Sequence, residues 1–266
     1  MELGLTDRVV LVTGASGGIG RTIASTLATE GATVIAHGLH GFESLRAWCP
    51  ELGIHPERAD LTDPGEVDAL FERLLERFGR IDGVAANAGR WPIPDAPLWE
   101  TSVERLQGTV DACLWTALLT ARGFTTALAR TGPHPDGTGA SLVFTGSTAG
   151  RFGEAGHIAY ATAKSALVGL TLTLKNEIVA IDPWARVNLV QPGWIATPAV
   201  SPRLEVPGVI EGVTRTMPLR RVGSPDDIAQ AVTFLLSPVA SRHVTGEIFT
   251  VAGGMEGRLL WDPARG

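Results

Sequence analysis

Val9-Val10-Leu11-Val12-Thr13-Gly14-Ala15-Ser16-Gly17-Gly18-Ile19-Gly20 is the stretch that decides the fold of this 266-residue chain. Its first four residues are wholly apolar and mostly β-branched, which suits a strand buried on both faces of a parallel sheet. The glycine cluster follows without a gap, and Ile19, Ile23 and Leu27 then recur at helical spacing. Strand, glycine-rich turn and helix is the layout that cradles a pyrophosphate. Glycines let the backbone approach the anion, and the helix N-terminus supplies unpaired N–H groups and a partial positive charge. Glycine clusters also serve ordinary turns and caps; the strand before and the helix after favour the phosphate site.

Outward from this unit, strand-like and helix-like segments alternate. Residues 32–36, 54–59, 81–86, 141–145, 186–190 and 247–251 read as further strands. Helices are expected over 42–48, from Asp63-Pro64 to about Gly79, from near Glu100 to Arg130, over about 154–181, and from Ser224-Pro225 through Leu236. In the second of these, Val67, Leu70, Phe71, Leu74, Leu75 and Phe78 share an apolar face. In the last, Ser224 is the expected N-cap and Pro225 the first helical residue. The alternation predicts an α/β fold, a doubly wound parallel sheet of about seven strands with helices on both faces, in a single domain over 1–266. Residues 199–222 are rich in Pro, Val and Arg with weak periodicity and read as a mobile lid over a substrate. Trp261, near an extended terminus, is open to docking on another subunit or to fraying.

Composition narrows the function classes. Hydrophobic residues make up 44% and charged residues 19%, enough apolar material for a large core and against global disorder. The net charge of −6 argues against a nucleic-acid surface. Cys49 and Cys113 stand far apart in no metal or redox motif, so a reduced cytoplasmic protein is expected, with no metal. The first residues lack a signal-peptide layout, and no apolar run nears the ~20 residues that span a bilayer.

The chemistry concentrates between Ser147 and Lys164. Tyr160 and Lys164 are four apart in a helical stretch and share one face. An ammonium beside a phenol favours the phenolate and draws the tyrosine down from its reference near ~10, so that it exchanges a proton near neutral pH. Ser147 sits at a strand end, placed to polarise a carbonyl. The same Tyr–Lys spacing on a helix also occurs as a plain surface pair, so the surroundings carry the argument. The second strand leads into His37-Gly38-Leu39-His40. An acid at the end of that strand would bind an adenosine ribose 2′-hydroxyl and repel a 2′-phosphate. Its absence leans the reading toward NADP over NAD; His37 or His40 is open to a phosphate contact or to solvent. Asp60 is open to an adenine contact or to capping a turn, and Asn87-Ala88-Gly89 to a cofactor contact or a simple turn. The apolar loop from Trp91 to Leu98 follows a strand end and is expected to wall the substrate site, with Ile93, Phe152 and Trp194 nearby; Trp194 is equally open to filling core.

These pieces together resemble the short-chain dehydrogenase/reductase family over about 5–255. Thr13-Gly14-x-x-x-Gly18-Ile19-Gly20, Asn87-Ala88-Gly89, Ser147, Tyr160-x-x-x-Lys164, Pro192-Gly193 and Gly253-Gly254 fall in order at family-like spacings. The resemblance implies a Rossmann-like fold and an NAD(P)-dependent oxidoreductase interconverting a secondary alcohol and a ketone. It implies Tyr160 as acid/base, Ser147 on the substrate oxygen, and Lys164 on the nicotinamide ribose, lowering the Tyr160 pKa. It also implies Gly14, Ser16, Gly18, Ile19 and Gly20 along the pyrophosphate and adenosine, Asp60 and Leu61 at the adenine, Asn87 near the ribose, and Ile195 and Thr197 at the carboxamide. Family members are commonly homotetramers or dimers that pack through the two long helices, here near 100–130 and 154–181. Leu114, Leu118, Leu167, Leu170 and Leu174 are open to that contact or to the core.

One position departs from the pattern. Where the resemblance implies an Asn holding a proton-relay water, this chain has Asp111. An ionised Asp111 near Lys164 would raise the lysine pKa; a position that contributes only its backbone carbonyl would be unaffected. Two other readings stand beside the reductase: a nucleotide-binding regulator that has lost catalysis, supported by Asp111 alone, and a non-redox enzyme of the same fold that uses the cofactor for epimerisation or dehydration.

Overall fold

The computed structural model describes residues 2–259; Trp261 lies outside them. The elements are β1 (Val9–Val12), α1 (Gly18–Thr29), β2 (Thr33–His37), α2 (Phe42–Trp48), β3 (His55–Glu57), α3 (Pro64–Phe78), β4 (Gly83–Ala86), α4 (Val103–Val110) and α5 (Thr116–Thr131). They continue with β5 (Ser141–Thr145), α6 (Ala149–Phe152), α7 (Ile158–Glu177), β6 (Arg186–Pro192), α8 (Ser201–Leu204), α9 (Val209–Thr214), α10 (Pro225–Leu236) and β7 (Ile248–Val251).

Among the described residues, seven strands form one sheet in the order β3-β2-β1-β4-β5-β6-β7, with every neighbouring pair parallel. β1 is buried throughout, as its apolar run requires. Alternate residues feed opposite faces. Leu11, Val84, Leu142 and Phe144 join Leu70, Leu74, Phe124 and Leu128 of α3 and α5 on one side. Val10, Val12 and Val143 join Ile23 and Leu27 of α1 and Ile228, Val232 and Leu235 of α10 on the other. Each fully buried Leu, Ile or Phe contributes about 1.5–3 kcal/mol, so two covered faces hold the sheet firmly enough to aim loops from its edge.

Local signals set the helix ends. Asp63 accepts from the Gly65 and Glu66 N–H groups with Pro64 at the first turn, and Gly79 closes α3 at φ +77°. Ser224 and Asp227 form a reciprocal capping box at the start of α10.

The differences from expectation have physical causes. β3 shrinks to three residues because it is an edge strand containing Pro56, which lacks an N–H to donate. β6 runs on to Pro192 because β7 pairs with it to the end. The helix expected from near Glu100 starts after Ser102, which accepts from the Arg105 N–H, and widens into a π turn over Asp111–Trp115 before α5. Thr109 and Thr116 donate to the Arg105 and Ala112 carbonyls beside that turn, the kind of back-bonding that bends helices. Residues 199–222 are not structureless: they carry α8 and α9.

The chain runs from β1 to β2 and β3 on one side, then crosses to β4 on the other. The crevice at this reversal, beyond the C-terminal ends of β1 and β4, is where doubly wound sheets take ligands. The glycine turn leaves β1 here and Asn87-Ala88-Gly89 leaves β4. No helix among the described residues is long and apolar enough to cross a membrane.

Candidate active site

A cleft of about 300 Å³ opens at this crevice, and it collects most of the candidate residues: Gly14, Gly18, Ile19, Gly20, Asn87, Ser147, Tyr160, Lys164, Ile195 and Thr197. Ser16, Asp60, Leu61 and Asp111 are not among its lining. Ser16 is exposed and lies beside Gly38 and Gly41 instead, and Leu61 is core. Asp60 takes the cap role: its Oδ1 accepts from the Thr62 N–H and hydroxyl at 2.9 and 2.7 Å.

The glycine turn is drawn tight. Gly14 has φ +66°, and a Cβ there would lie 2.8 Å from Ala88 Cα. A Cβ on Gly20 would lie 2.3 Å from the Gly14 carbonyl oxygen. Gly17, at the N-cap of α1, supplies no side-chain cap, so the first N–H groups of a twelve-residue helix face the cleft beside Gly17, Gly18 and Ile19. That donor set suits an anionic pyrophosphate. The turn is stitched to β4 through side chains that bond main chain. Thr13 Oγ1 accepts from the Asn87 and Ala88 N–H groups, both at 3.0 Å. Asn87 Nδ2 donates to the Thr13 and Gly14 carbonyls at 3.2 and 3.4 Å.

His37 is neither solvated nor turned to a phosphate. It is 3% exposed at the end of β2. Its Nδ1 accepts from the Gly14 N–H at 3.4 Å and its Nε2 donates to the Ala59 carbonyl at 2.9 Å, which sets a neutral tautomer. Burial holds its pKa below the ordinary histidine value, against the opposing pull of the Ala59 bond and Asp60. Sequence reasoning quoted Thr13 without giving it a role and left His37 open to a phosphate or to solvent; neither was read as a brace of the turn. The signal for both was position alone, one at each strand end that meets the turn.

The chemical cluster lies across the cleft. β5 ends at Thr145, and Ser147 follows two residues later. Ser147 faces the cleft with Tyr160, near enough to favour the phenolate, and its Oγ accepts from the Ala149 N–H at 3.1 Å. Lys164, one turn beyond Tyr160 on α7, is 4% exposed; its Nζ donates to the Thr145 carbonyl at 2.7 Å and sits 5.8 Å from the Tyr160 ring centroid. Desolvation lowers the lysine pKa. The Tyr160 pKa is raised, contrary to the expected lowering: burial dominates, the Ser147 hydroxyl opposes it, and Cys113 and Glu154 add to the rise. The lysine charge is committed to a carbonyl rather than to the phenol.

Asp111 does not reach this cluster. Its Oδ1 accepts from Gln107 Nε2 at 2.7 Å along the helix surface. What the π turn brings to the lysine is main chain and thiol: a Cβ on Gly89 would lie 3.3 Å from Lys164 Nζ, 3.6 Å from Cys113 Sγ and 3.8 Å from the Ala112 oxygen.

The substrate side is aromatic and charged. Trp91, Phe152, Glu154 and Trp194 line the cleft, whereas Ile93 is 67% exposed and takes no part. The Arg203 guanidinium sits 5.2 Å from the Trp91 ring and 5.6 Å from the Trp194 ring, and donates to Asp95 at 2.7 Å. His157, buried beneath, stacks on Trp91 at 4.8 Å with Nε2 3.1 Å from Asp95. Residues 199–222 thereby meet the wall of the cleft, with Ala199 and Val200 in its lining.

Comparison with known proteins identifies the family. A family model described as Enoyl-(Acyl carrier protein) reductase matches residues 14–256. The 3-oxoacyl-[acyl-carrier-protein] reductase of Synechocystis sp. is 31% identical over 256 residues, which span 94% of this chain and 98% of that protein. A solved short-chain dehydrogenase/reductase from Brucella melitensis, described as a glucose/ribitol dehydrogenase, superposes with a TM-score of 0.85 at 32% identity over 96% of this chain and 98% of that one. A structure from Beutenbergia cavernae described as an NAD(P) dependent gluconate 5-dehydrogenase with bound NADP superposes with a TM-score of 0.83 at 30% identity, again over 96% and 98%. The chain belongs to the short-chain dehydrogenase/reductase family and is an NAD(P)-dependent oxidoreductase acting between a secondary alcohol and a ketone.

Proposed function

We propose that residues 1–266 act as one catalytic domain that reduces a neutral ketone with NADPH, with Tyr160 giving the proton. The observation that carries this reading is the meeting of Ser147, Tyr160 and buried Lys164 in the same cleft as the glycine turn. Gly14, Gly18, Ile19 and Gly20 would hold the pyrophosphate, Asn87 the ribose side, and Ile195 and Thr197 the carboxamide end. The chemistry the coenzyme supplies when bound is hydride transfer to or from the carbonyl carbon. Ser147 hydrogen-bonds the carbonyl oxygen and polarises it. Tyr160 protonates that oxygen as charge develops on it. Lys164, released from the Thr145 carbonyl or shared with it, stabilises the phenolate left behind.

Three features support NADPH over NADH. The end of β2 carries no acid to repel a 2′-phosphate. His37 is buried and neutral, so it does not substitute for one. The Beutenbergia cavernae neighbour binds NADP. The feature that favoured a regulator, Asp111, points away from the cleft.

A homo-oligomer is supported by apolar side chains left exposed beside α4, α5 and α7: Leu98 54%, Trp99 84%, Val103 73%, Trp115 42% and Leu172 42%. Leu167 and Leu174 belong to the core instead. Two buried free cysteines accord with a reducing cytoplasmic setting.

The test follows nicotinamide absorbance with NADH and NADPH offered separately against cyclic, aryl and β-keto carbonyl compounds. Wild type and Tyr160→Phe are run side by side, with coenzyme binding read by fluorescence. Tyr160→Phe is expected to lose about 10²–10⁴ in turnover and to keep coenzyme affinity. Full turnover by the variant would overturn the assignment.

A further inference from the structure

Glu154 is a carboxylate on the substrate side of the cleft that the reduction itself does not use. It lies between Ser147 and Tyr160 in sequence, is half-buried, and lines the cleft together with both of them. Its Oε2 accepts from the Trp91 indole N–H at 3.2 Å. Among the described residues Oε1 accepts nothing, so one lobe of the carboxylate is left for a ligand.

Its surroundings hold it in place. Trp91 is fixed on one face by His157 at 4.8 Å and meets Trp194 edge-on at 6.0 Å. Arg203 packs on both tryptophans and is itself engaged by Asp95. A side chain positioned by a partner with so little freedom is a preorganised acceptor. The other cations near the cleft do not neutralise it by contact. Lys164 is turned to the Thr145 carbonyl, Arg203 bonds Asp95 and reaches the Glu154 charge only through space, and Arg90 borders the cleft as an exposed side chain at its rim. The Glu154 charge also falls close enough to Tyr160 to push the phenol up.

We propose that Glu154 selects the substrate: its carboxylate accepts a hydrogen bond from a hydroxyl carried on the chain beyond the reacting carbonyl, between Trp91 and Trp194, and rejects keto acids. The substrate class is then a neutral hydroxyketone with an apolar face. This rests on the reductase reading above. A site built to bond a donor discriminates strongly against analogues lacking it, and a charge-assisted bond is about twice as strong as a neutral one. A substrate carboxylate would instead meet like charge in a partly desolvated cleft.

The experiment compares three ketones on one five-carbon frame whose C5 is a hydroxymethyl, a methyl or a carboxylate: 5-hydroxy-2-pentanone, 2-pentanone and levulinate, with the corresponding aryl ketones as a second set. kcat/KM is measured for wild type, Glu154→Gln and Trp91→Phe, and only ratios within each enzyme are compared, so general damage cancels. Wild type is expected to favour hydroxyl over carboxylate by at least about a hundredfold. Glu154→Gln should shrink that ratio at least about tenfold. Trp91→Phe, which keeps a ring and loses the indole donor, should shift it in the same direction by less. Ratios unchanged by Glu154→Gln, or a wild type that prefers the carboxylate, would overturn the proposal and leave the reductase standing. If the wild type turns over no ketone in a Tyr160-dependent way, the reductase reading falls and takes this one with it.

Discussion

The two walls of the cleft are built from different material. Around the glycine turn the parts are backbone: glycines at Gly14, Gly17, Gly18 and Gly20, the free N–H groups of α1, and side chains (Thr13, His37 and, from the end of β4, Asn87) whose every described bond goes to main chain. On the β4–β6 side the parts are side chains that bond each other: Trp91 with Glu154, Arg203 with Asp95, His157 against Trp91. A phosphate presents the same oxygens whatever reaction follows, and main-chain donors suffice for it. A substrate must be told from its analogues, and that takes specific functional groups. The difference says where substitutions should act: backbone-shape changes on the first wall, side-chain chemistry on the second.

The largest effect is expected where a methyl group meets backbone. Gly20→Ala places a Cβ 2.3 Å from the Gly14 carbonyl oxygen and 2.7 Å from Asn87 Nδ2. Neither neighbour moves without dragging the turn, so overpacking should cost up to about 3 kcal/mol. Coenzyme affinity should fall about a hundredfold as the α1 N-terminus shifts. Thermal unfolding and a fluorescence titration with NADPH read both. A variant that binds NADPH normally would show that the turn is loose, and the contrast between the walls would lose its basis.

On the second wall the matching test is Arg203→Ala. It removes two cation–π contacts and one partly exposed ion pair, each worth from a few tenths to about 1 kcal/mol. KM should rise about tenfold, with a much smaller change in kcat, because the wall positions substrate and does not touch the reacting atoms. Asp95→Asn should give part of the same loss, and the double variant little more than Arg203→Ala alone, since the two share one interaction. A drop in kcat with KM unchanged would place Arg203 in the chemistry instead.

How much of this was legible in the sequence follows the same division. The first wall was readable because its signal is local: an apolar run, then glycines, then helical spacing, all within 9–27. The strand pattern and the caps at Asp63 and Ser224 are local too, and the structure places them as read. The clasp of Trp91, Asp95, His157 and Arg203 spans 113 positions and joins the loop after β4, the start of α7 and α8; no periodicity encodes such a meeting. His37 was misread for a related reason. A histidine before a glycine looks like loop, and only the tertiary structure shows the Gly14 N–H on one nitrogen and the Ala59 carbonyl on the other.

That histidine gives a smaller, pH-dependent effect. Its folded pKa lies below the unfolded reference of about 6.5. The unfolded chain therefore binds the proton first as pH falls, and stability drops as pH goes below about 6.5 toward the folded value. His55 shifts in the same direction, mainly through burial, so the His37 share is the difference between wild type and His37→Asn in urea unfolding across pH 5–8. The variant should lose about 1–3 kcal/mol at pH 8, where the Gly14 and Ala59 groups lose their shared partner, and show a shallower decline in acid. Parallel pH profiles would mean that His37 does not brace the turn as a neutral ring.

The smallest effect is expected at Asp111, where the sequence alone raised the sharpest doubt about catalysis. The concern was electrostatic: a carboxylate near Lys164 would stabilise its charge and disturb the phenol. The geometry removes the premise. The carboxylate accepts from Gln107 one turn back, the lysine donates to the Thr145 carbonyl, and the π turn sets the Ala112 oxygen and the Cys113 thiol, not the Asp111 side chain, beside Gly89 and the lysine. An amide oxygen can accept the same Gln107 bond. Asp111→Asn should therefore change kcat and its pH dependence by less than about twofold and stability by no more than about 0.5 kcal/mol, the range of a surface change away from special contacts. The pH–rate profile is the discriminating measurement. A variant with a displaced profile would mean that the carboxylate's field reaches the Tyr160–Lys164 pair across the π turn, and the substrate wall would then contain a charge that acts without contact.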